Sequence, residues 1–134
     1  MRKSKNPNCG QRCELAANTI IYDFARKWRE VISTRYDDIA NGEFSEECFA
    51  LGFGMDLGES LKKAFPGINV EKAAGFKTVV GSIDDVFFLG TAVFSYWRWL
   101  THWVQWGEIY SDDAKEWFTL AFDRLIEITK GDCL

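Results

Sequence analysis

Ser95, Arg98 and His102 stand three and four positions apart inside the apolar stretch from Ile83 to Trp106. On an α-helix those steps stack side chains on successive turns of one face. Asp84, Phe88, Thr91 and Gln105 fall on the same line, giving one mostly hydrophilic edge to a segment otherwise rich in Phe, Val, Leu, Tyr and Trp. The planar fork of Arg98 suits a carboxylate or phosphate, to which it can donate two parallel hydrogen bonds. His102 is the only histidine. A histidine acts as a general base only with an orienting partner and a substrate proton in reach, and no Ser or Cys nucleophile is set beside it by the sequence.

Burying such an edge without partners would cost several kcal/mol, so it must face water, find internal partners or line a cavity. Three readings follow. The edge is the solvent-facing strip of an amphipathic helix; or Arg98 is paired with a carboxylate such as Asp56 or Glu59, locking the packing; or Asp56, Ser95, Arg98 and His102 bind a polar or anionic ligand between aromatic walls from Trp97, Trp99 and Trp103. Gly90, among bulky neighbours, fits close helix contact better than ligand passage.

Motifs that would specify catalysis are missing from the sequence. It has no Gly-x-Ser-x-Gly elbow, phosphate loop, His-Glu-x-x-His or dinucleotide fingerprint. The glycine-rich Gly52–Gly58 stretch lacks the lysine and spacing of a phosphate loop and reads as a bend. Asp56 and Glu59 could act as a carboxylate pair, although capping of a helix accounts for them equally well. Cys9 and Cys13 have a spacing found among zinc ligands, but a structural site needs a second pair, and Cys48, Cys133 and His102 lie on distant segments. We therefore expect free thiols, no metal and no cofactor, and the balance leans away from an enzyme.

The elements that must carry these residues read as helices. Leu15, Ile20, Ile21, Phe24, Trp28, Val31, Ile32, Tyr36 and Ile39 recur at helical steps, predicting a first helix from about Cys13 to Ile39 that stops at Asn41-Gly42. Residues 45–65 are ambiguous. Phe49, Phe53, Leu57, Leu61 and Phe65 repeat every fourth residue, yet residues 49–57 also alternate as a strand would. Two helical pieces are favoured, the first capped by Ser45 and the second by Asp56, with Glu59 reaching back. A long apolar helix over 83–106, capped by Ser82 and ended by Gly107, is expected at the centre of the molecule. A last helix capped by Ser111 should bury Ala114, Trp117, Phe118, Ala121, Leu125 and Ile128. The fold class is all-α, a compact bundle of four to five helices, with residues 1–12 a flexible basic tail and 13–134 one domain.

The chain's 134 residues suffice for one domain with a core of its own, and 47% hydrophobic content with six Trp and eleven Phe excludes disorder. Its net charge of −4 is uneven. Arg2, Lys3, Lys5 and Arg12 share the first twelve residues with no acid, so the remainder is strongly acidic and offers no basic stripe to nucleic acid. No apolar signal region follows the basic start. The longest uncharged run in the apolar helix, Val86 to Trp97, is short of the twenty or so residues that span a bilayer. A cytoplasmic protein without a membrane segment is expected.

The run from Leu89 to Trp103, with Gly-Phe-Gly-Met-Asp ending at Asp56, resembles that of small uncharacterised bacterial proteins. The resemblance spans about the last two-thirds of the chain. It implies no activity and draws notice to Asp56, Ser95, Arg98 and His102. The leading functional expectation is a non-catalytic helical interaction module whose aromatic-rich surface meets a protein partner or a second copy. A small-ligand or enzyme site centred on Arg98 and His102 is the alternative. A regulatory protein of a bacterial defence or stress operon is a third and weaker option, which small size and missing catalytic motifs alone suggest.

Overall fold

The computed structural model describes residues 9–56, 58–102 and 107–130, with side chains from residue 18 onward. Expectations that rest on Trp103, Gln105, Trp106, Leu57 or Cys133 lie outside the described residues. So do those on residues 1–8 and on the Cys9 and Cys13 thiols. Six α-helices follow one another: α1 (Cys9–Thr34), α2 (Gly42–Ala50), α3 (Glu59–Ala64), α4 (Ala73–Val79), α5 (Val86–His102) and α6 (Asp112–Lys130). Short 3-10 turns at Tyr36–Ala40, Val80–Ser82 and Glu108–Tyr110 join them. No strand occurs among the described residues, so the fold is all-helical. Among the described residues there are six helices rather than four to five, because α4 adds one for which the sequence reading made no place.

Helix α1 starts at Cys9, ahead of the expected Cys13, and it ends at Thr34 rather than Ile39. Arg35 leaves helical geometry (φ −145°, ψ 53°), and the following 3-10 turn carries Ile39 into the core. Ile21, Phe24, Ala25, Trp28, Val31 and Ile32 form the buried face of α1. Ile20 does not belong to it and is 56% exposed. Neighbouring residues on a helix point about 100° apart, and here Ile21 takes the core side while Ile20 lies at the edge of the buried face.

Helix α6 runs antiparallel to α1. Arg29 Nε donates to Asp123 Oδ1 at 2.7 Å, while Lys115, near the other end of α6, sits over the Tyr36 ring just past the end of α1. Ser111 Oγ accepts the Ala114 N–H and caps α6 as expected. Ala114, Trp117, Phe118, Ala121 and Leu125 are buried there, joined by Phe122 and Thr129. Ile128 is only half-buried. Trp117 is sandwiched between Phe76 (centroids 4.2 Å apart) and Tyr96 (3.9 Å), and its indole N–H donates to Val70 O. Helix α4 is thereby fastened to both α5 and α6.

The two-piece reading of residues 45–65 matches α2 and α3, but Ser45 does not cap the first. Helix α2 begins at Gly42, so Ser45 lies inside it and its hydroxyl donates to Gly42 O. Phe44 and Cys48 are the buried residues of α2, which leaves Phe49 100° further round and 79% exposed. Residues 52–56 are neither helix nor strand, which removes the alternating-strand reading.

Helix α5 runs from Val86 to His102, shorter at its start than the expected 83–106. Ile83 is extended (φ −88°, ψ 114°), and the cap is Asp85, not Ser82. Asp85 Oδ1 accepts the N–H groups of Phe87 (2.9 Å) and Phe88 (3.0 Å), whereas the Ser82 hydroxyl donates backward to Val79 O. Among its residues Leu89, Gly90, Ala92, Val93, Phe94, Ser95, Tyr96, Trp97 and Leu100 are buried.

Candidate functional site

Buried Ser95 on α5 meets Asp56 from the segment before α3. The Asp56 backbone N–H donates to Ser95 Oγ at 3.0 Å, and that hydroxyl donates to Asp56 Oδ1 at 3.1 Å. One turn earlier on α5, Thr91 Oγ1 accepts the Gly54 N–H at 3.2 Å. A further contact comes from Phe53, whose ring lies so close to Gly90 that a Cβ there would sit 2.3 Å from it. Gly90, Thr91 and Ser95 thus form the seat on which residues 53–56 rest. Gly90 serves close packing, as the sequence suggested.

Asp56 also starts α3. Its Oδ1 accepts the Gly58 N–H at 3.0 Å and its Oδ2 the Ser60 N–H at 3.1 Å, satisfying donors at the helix entrance. Partial burial by itself would raise the Asp56 carboxyl. The bonds from Ser60, Ser95 and Gly58 outweigh burial and hold it below the ordinary carboxylate range. Gly58 enters α3 with φ +82°, a conformation that side chains strain to adopt.

The other members of the expected site lie apart from this pair. Arg98 is half-buried, and among the described residues no carboxylate comes within ion-pairing distance of it, Asp56 and Glu59 included. His102 is exposed at the end of α5, with Nδ1 2.7 Å from Thr101 Oγ1. Trp97 is buried, and its indole N–H donates to Ile39 O at 2.6 Å, a bond that holds the turn after α1 against α5. Trp99 is half-buried. It borders a small recess with Gly58, Leu61, Glu71, Ser95 and Tyr96, whose enclosed space of about 20 Å³ holds about one water.

A larger concavity lies where sequence reasoning placed none. Ile20, Asp23, Phe24 and Lys27 of α1 face Glu47, Ala50 and Leu51 across a groove of about 330 Å³. Its floor is apolar. At one end Lys27 donates to Glu43 at 2.6 Å and also to Glu47, while Trp28 Nε1 donates to the other oxygen of Glu47 at 2.9 Å. These bonds raise the Lys27 ammonium, that from Glu43 most, so the end of the groove is a fixed, charged wall. Beneath the groove Phe24 packs on the buried Phe53 (5.7 Å between centroids), which in turn packs on Phe87 (6.1 Å), 46% exposed. The sequence carried only a weak signal of it, the adjacent Ile20 and Ile21, of which the structure buries Ile21 alone.

No helix among the described residues is long and apolar enough to cross a membrane. No group of three or more His, Cys, Asp or Glu among them could hold a metal ion. No protein family, curated protein or solved structure matches this chain.

Proposed function

We propose that this chain is a non-catalytic interaction module that docks a protein partner on the apolar groove between α1 and α2 and on the exposed Phe87 beyond it. One observation carries this reading: Ile20 remains 56% exposed on an open groove floored by Phe24 and Leu51, and Phe87 and Met55 are each 46% exposed elsewhere on the molecule, Phe87 against the Phe53 ring that packs on Phe24. Fully burying a large apolar side chain is worth about 1.5–3 kcal/mol, so each half-exposed one leaves roughly 1 kcal/mol for a partner to gain. Contiguous apolar surface rimmed by charge is the usual signature of a docking face. The tryptophans contribute less to it than composition suggested, because Trp28, Trp97 and Trp117 are committed to the core. The reading extends to a bacterial, cytoplasmic protein built around α5, the most apolar of its helices.

Oxidative footprinting tests it, by comparing the chain in intact cells with the purified chain at high dilution. Protection of Ile20, Leu51, Met55 and Phe87 in cells alone is the expected result. Equal labelling in both conditions removes the docking face.

A second reading, a small-anion site at Arg98 and His102, draws support from the absence of a carboxylate beside Arg98 among the described residues. Against it stands the commitment of Ser95 and Asp56 to each other. Titration with inorganic phosphate and with acetate, followed through the Arg98 and His102 NMR signals, separates the readings. Saturable shifts at both residues would favour the anion site.

A further inference from the structure

We infer that Asn41 is a site of self-modification, where the backbone nitrogen of Gly42 closes on the side-chain amide, expels ammonia and leaves aspartate or isoaspartate at the entrance of α2. The inference concerns the chain's own chemistry and does not depend on the docking reading.

The reacting groups are adjacent and unguarded. Asn41 and Gly42 are both exposed. The Asn41 side chain makes no capping bond to the helix it precedes (φ −72°, ψ 150°) and has no other partner among the described residues. The Gly42 N–H opens α2, where the first donors lack partners within the helix, and no group among the described residues accepts from it. A Cβ on Gly42 would meet nothing within 4 Å, so the attacking nitrogen is open on all sides. Only one bond of α2, from the Phe44 N–H to Asn41 O at 3.1 Å, must be given up to turn that nitrogen onto Asn41 Cγ. Attack within one chain is effectively unimolecular, so access decides whether it proceeds.

Asn69 shows the same chemistry blocked. Its Oδ1 accepts the Glu71 N–H at 3.3 Å, and the nitrogen that would attack, that of Val70, already donates to Ile68 O at 2.9 Å. Val70 is moreover β-branched and buried. The fold therefore separates two exposed asparagines into one that is free to react and one that is held.

The Gly42 nitrogen bonds to Asn41 Cγ, the Cγ–Nδ2 bond breaks, and the proton of the attacking nitrogen leaves with the amide as ammonia. Water then opens the cyclic imide. Addition at Cγ returns the original backbone with an aspartate side chain. Addition at the main-chain carbonyl carbon gives isoaspartate, whose backbone runs through Cβ and is one carbon longer. That carbon enters a junction fixed on both sides: Ile39 is buried with its carbonyl held by Trp97, and Phe44 is buried in α2. Aspartate suits a helix start, whereas isoaspartate displaces the carbonyl that accepts the Phe44 N–H. The first turn of α2 then loosens, and with it Glu43, the partner of Lys27 at the end of the groove.

Ageing the full-length chain at neutral pH in heavy-oxygen water tests this, with peptides read by electron-transfer fragmentation. The expected result is heavy oxygen in a mixture of isoaspartate and aspartate at Asn41, with Asn69 intact over the same time. Gly42→Ala, whose methyl has room but crowds the nitrogen, should lose the reaction with its helical circular dichroism unchanged. Asn41→Gln, which keeps Gly42, should lose it too. In NMR spectra the isoaspartyl fraction should lose the ion-pair shifts of Lys27 and Glu43, and Asn41→Asp should keep them. An Asn41 that stays intact in the native chain while converting in urea overturns the inference. So does conversion of Asn69 at the same rate, or a Gly42→Ala chain that converts as fast as the original.

Discussion

Ser95 and Asp56 bond to each other in both directions: the hydroxyl accepts the Asp56 backbone N–H and donates to the Asp56 carboxylate. Neither is left with a free hand for a substrate. The hydrophilic edge of α5, which most suggested chemistry in the sequence, is at this level a clasp that holds residues 53–56 in place. Removing the Ser95 hydroxyl strands a backbone N–H and a carboxylate oxygen, so Ser95→Ala should lower unfolding free energy by about 1–3 kcal/mol. Urea denaturation measures it, and an unchanged midpoint would show that the clasp is not holding.

Gly90→Ala tests the other half of the seat. Alanine is the better helix former by about 1 kcal/mol. Its Cβ, however, would meet the Phe53 ring at 2.3 Å, and that ring is 4% exposed and packed on Phe24. Overpacking of this kind costs about 1–3 kcal/mol, so the variant should be the less stable protein. Combining it with Phe53→Leu, which gives the Cβ room, should cost less than the sum of the two single changes, read from a double-mutant cycle.

Asp56 makes the clasp pH-dependent. Its carboxyl is held below its unfolded value, so its contribution is fully present above the ordinary carboxylate range and is lost as pH falls through the depressed folded value. The side-chain carbon signal of Asp56 should titrate at lower pH than a free aspartate. The amide signals of Gly58 and Ser60 should move with it. A titration at or above the ordinary value would mean that the hydrogen bonds to this carboxylate are not maintained in solution.

The edge and its partner could be found from spacing and capping rules, because Ser95 and Thr91 had to be either wet or paired and Asp56 stood three residues before a plausible helix turn. That they are paired with residues 54–56 is a tertiary fact: it depends on Gly90 admitting Phe53, which no local periodicity encodes. Helix boundaries shifted for similar reasons. Asp85 outcompetes Ser82 as a cap because Gly81-Ser82 are already used in a 3-10 turn. The groove went unseen because a period of three and four residues assigned both Ile20 and Ile21 to the core, and which of two neighbours lies at the edge of the buried face depends on what packs against the helix.

Cys48 should be inert in the native protein. It is fully buried, and burial, with the nearby Glu47 charge adding to it, pushes its thiol well above the usual range. Its reaction with a thiol reagent should appear only at the rate of opening or unfolding, and should accelerate in parallel with the loss of helical signal in urea. Rapid labelling of Cys48 in the absence of denaturant would contradict the packing of α2 against the core.

Tyr96 gives a control of opposite sign. It is 7% exposed, and its hydroxyl has no hydrogen-bond partner among the described residues. Tyr96→Phe removes a buried polar group that gains nothing from the protein, so stability should be unchanged or slightly raised by thermal denaturation. A loss of about 1 kcal/mol or more would reveal a partner for that hydroxyl.

Which face of the molecule is open and which is closed can be measured residue by residue with a soluble paramagnetic relaxation agent, added to the dilute, isotope-labelled protein. Strong relaxation is predicted at the side chains of Ile20, Met55 and Phe87, with Ser95 shielded. Relaxation of Ser95 and Thr91 as strong as that of Ile20 would contradict the account, by showing the hydrophilic edge of α5 open to a ligand.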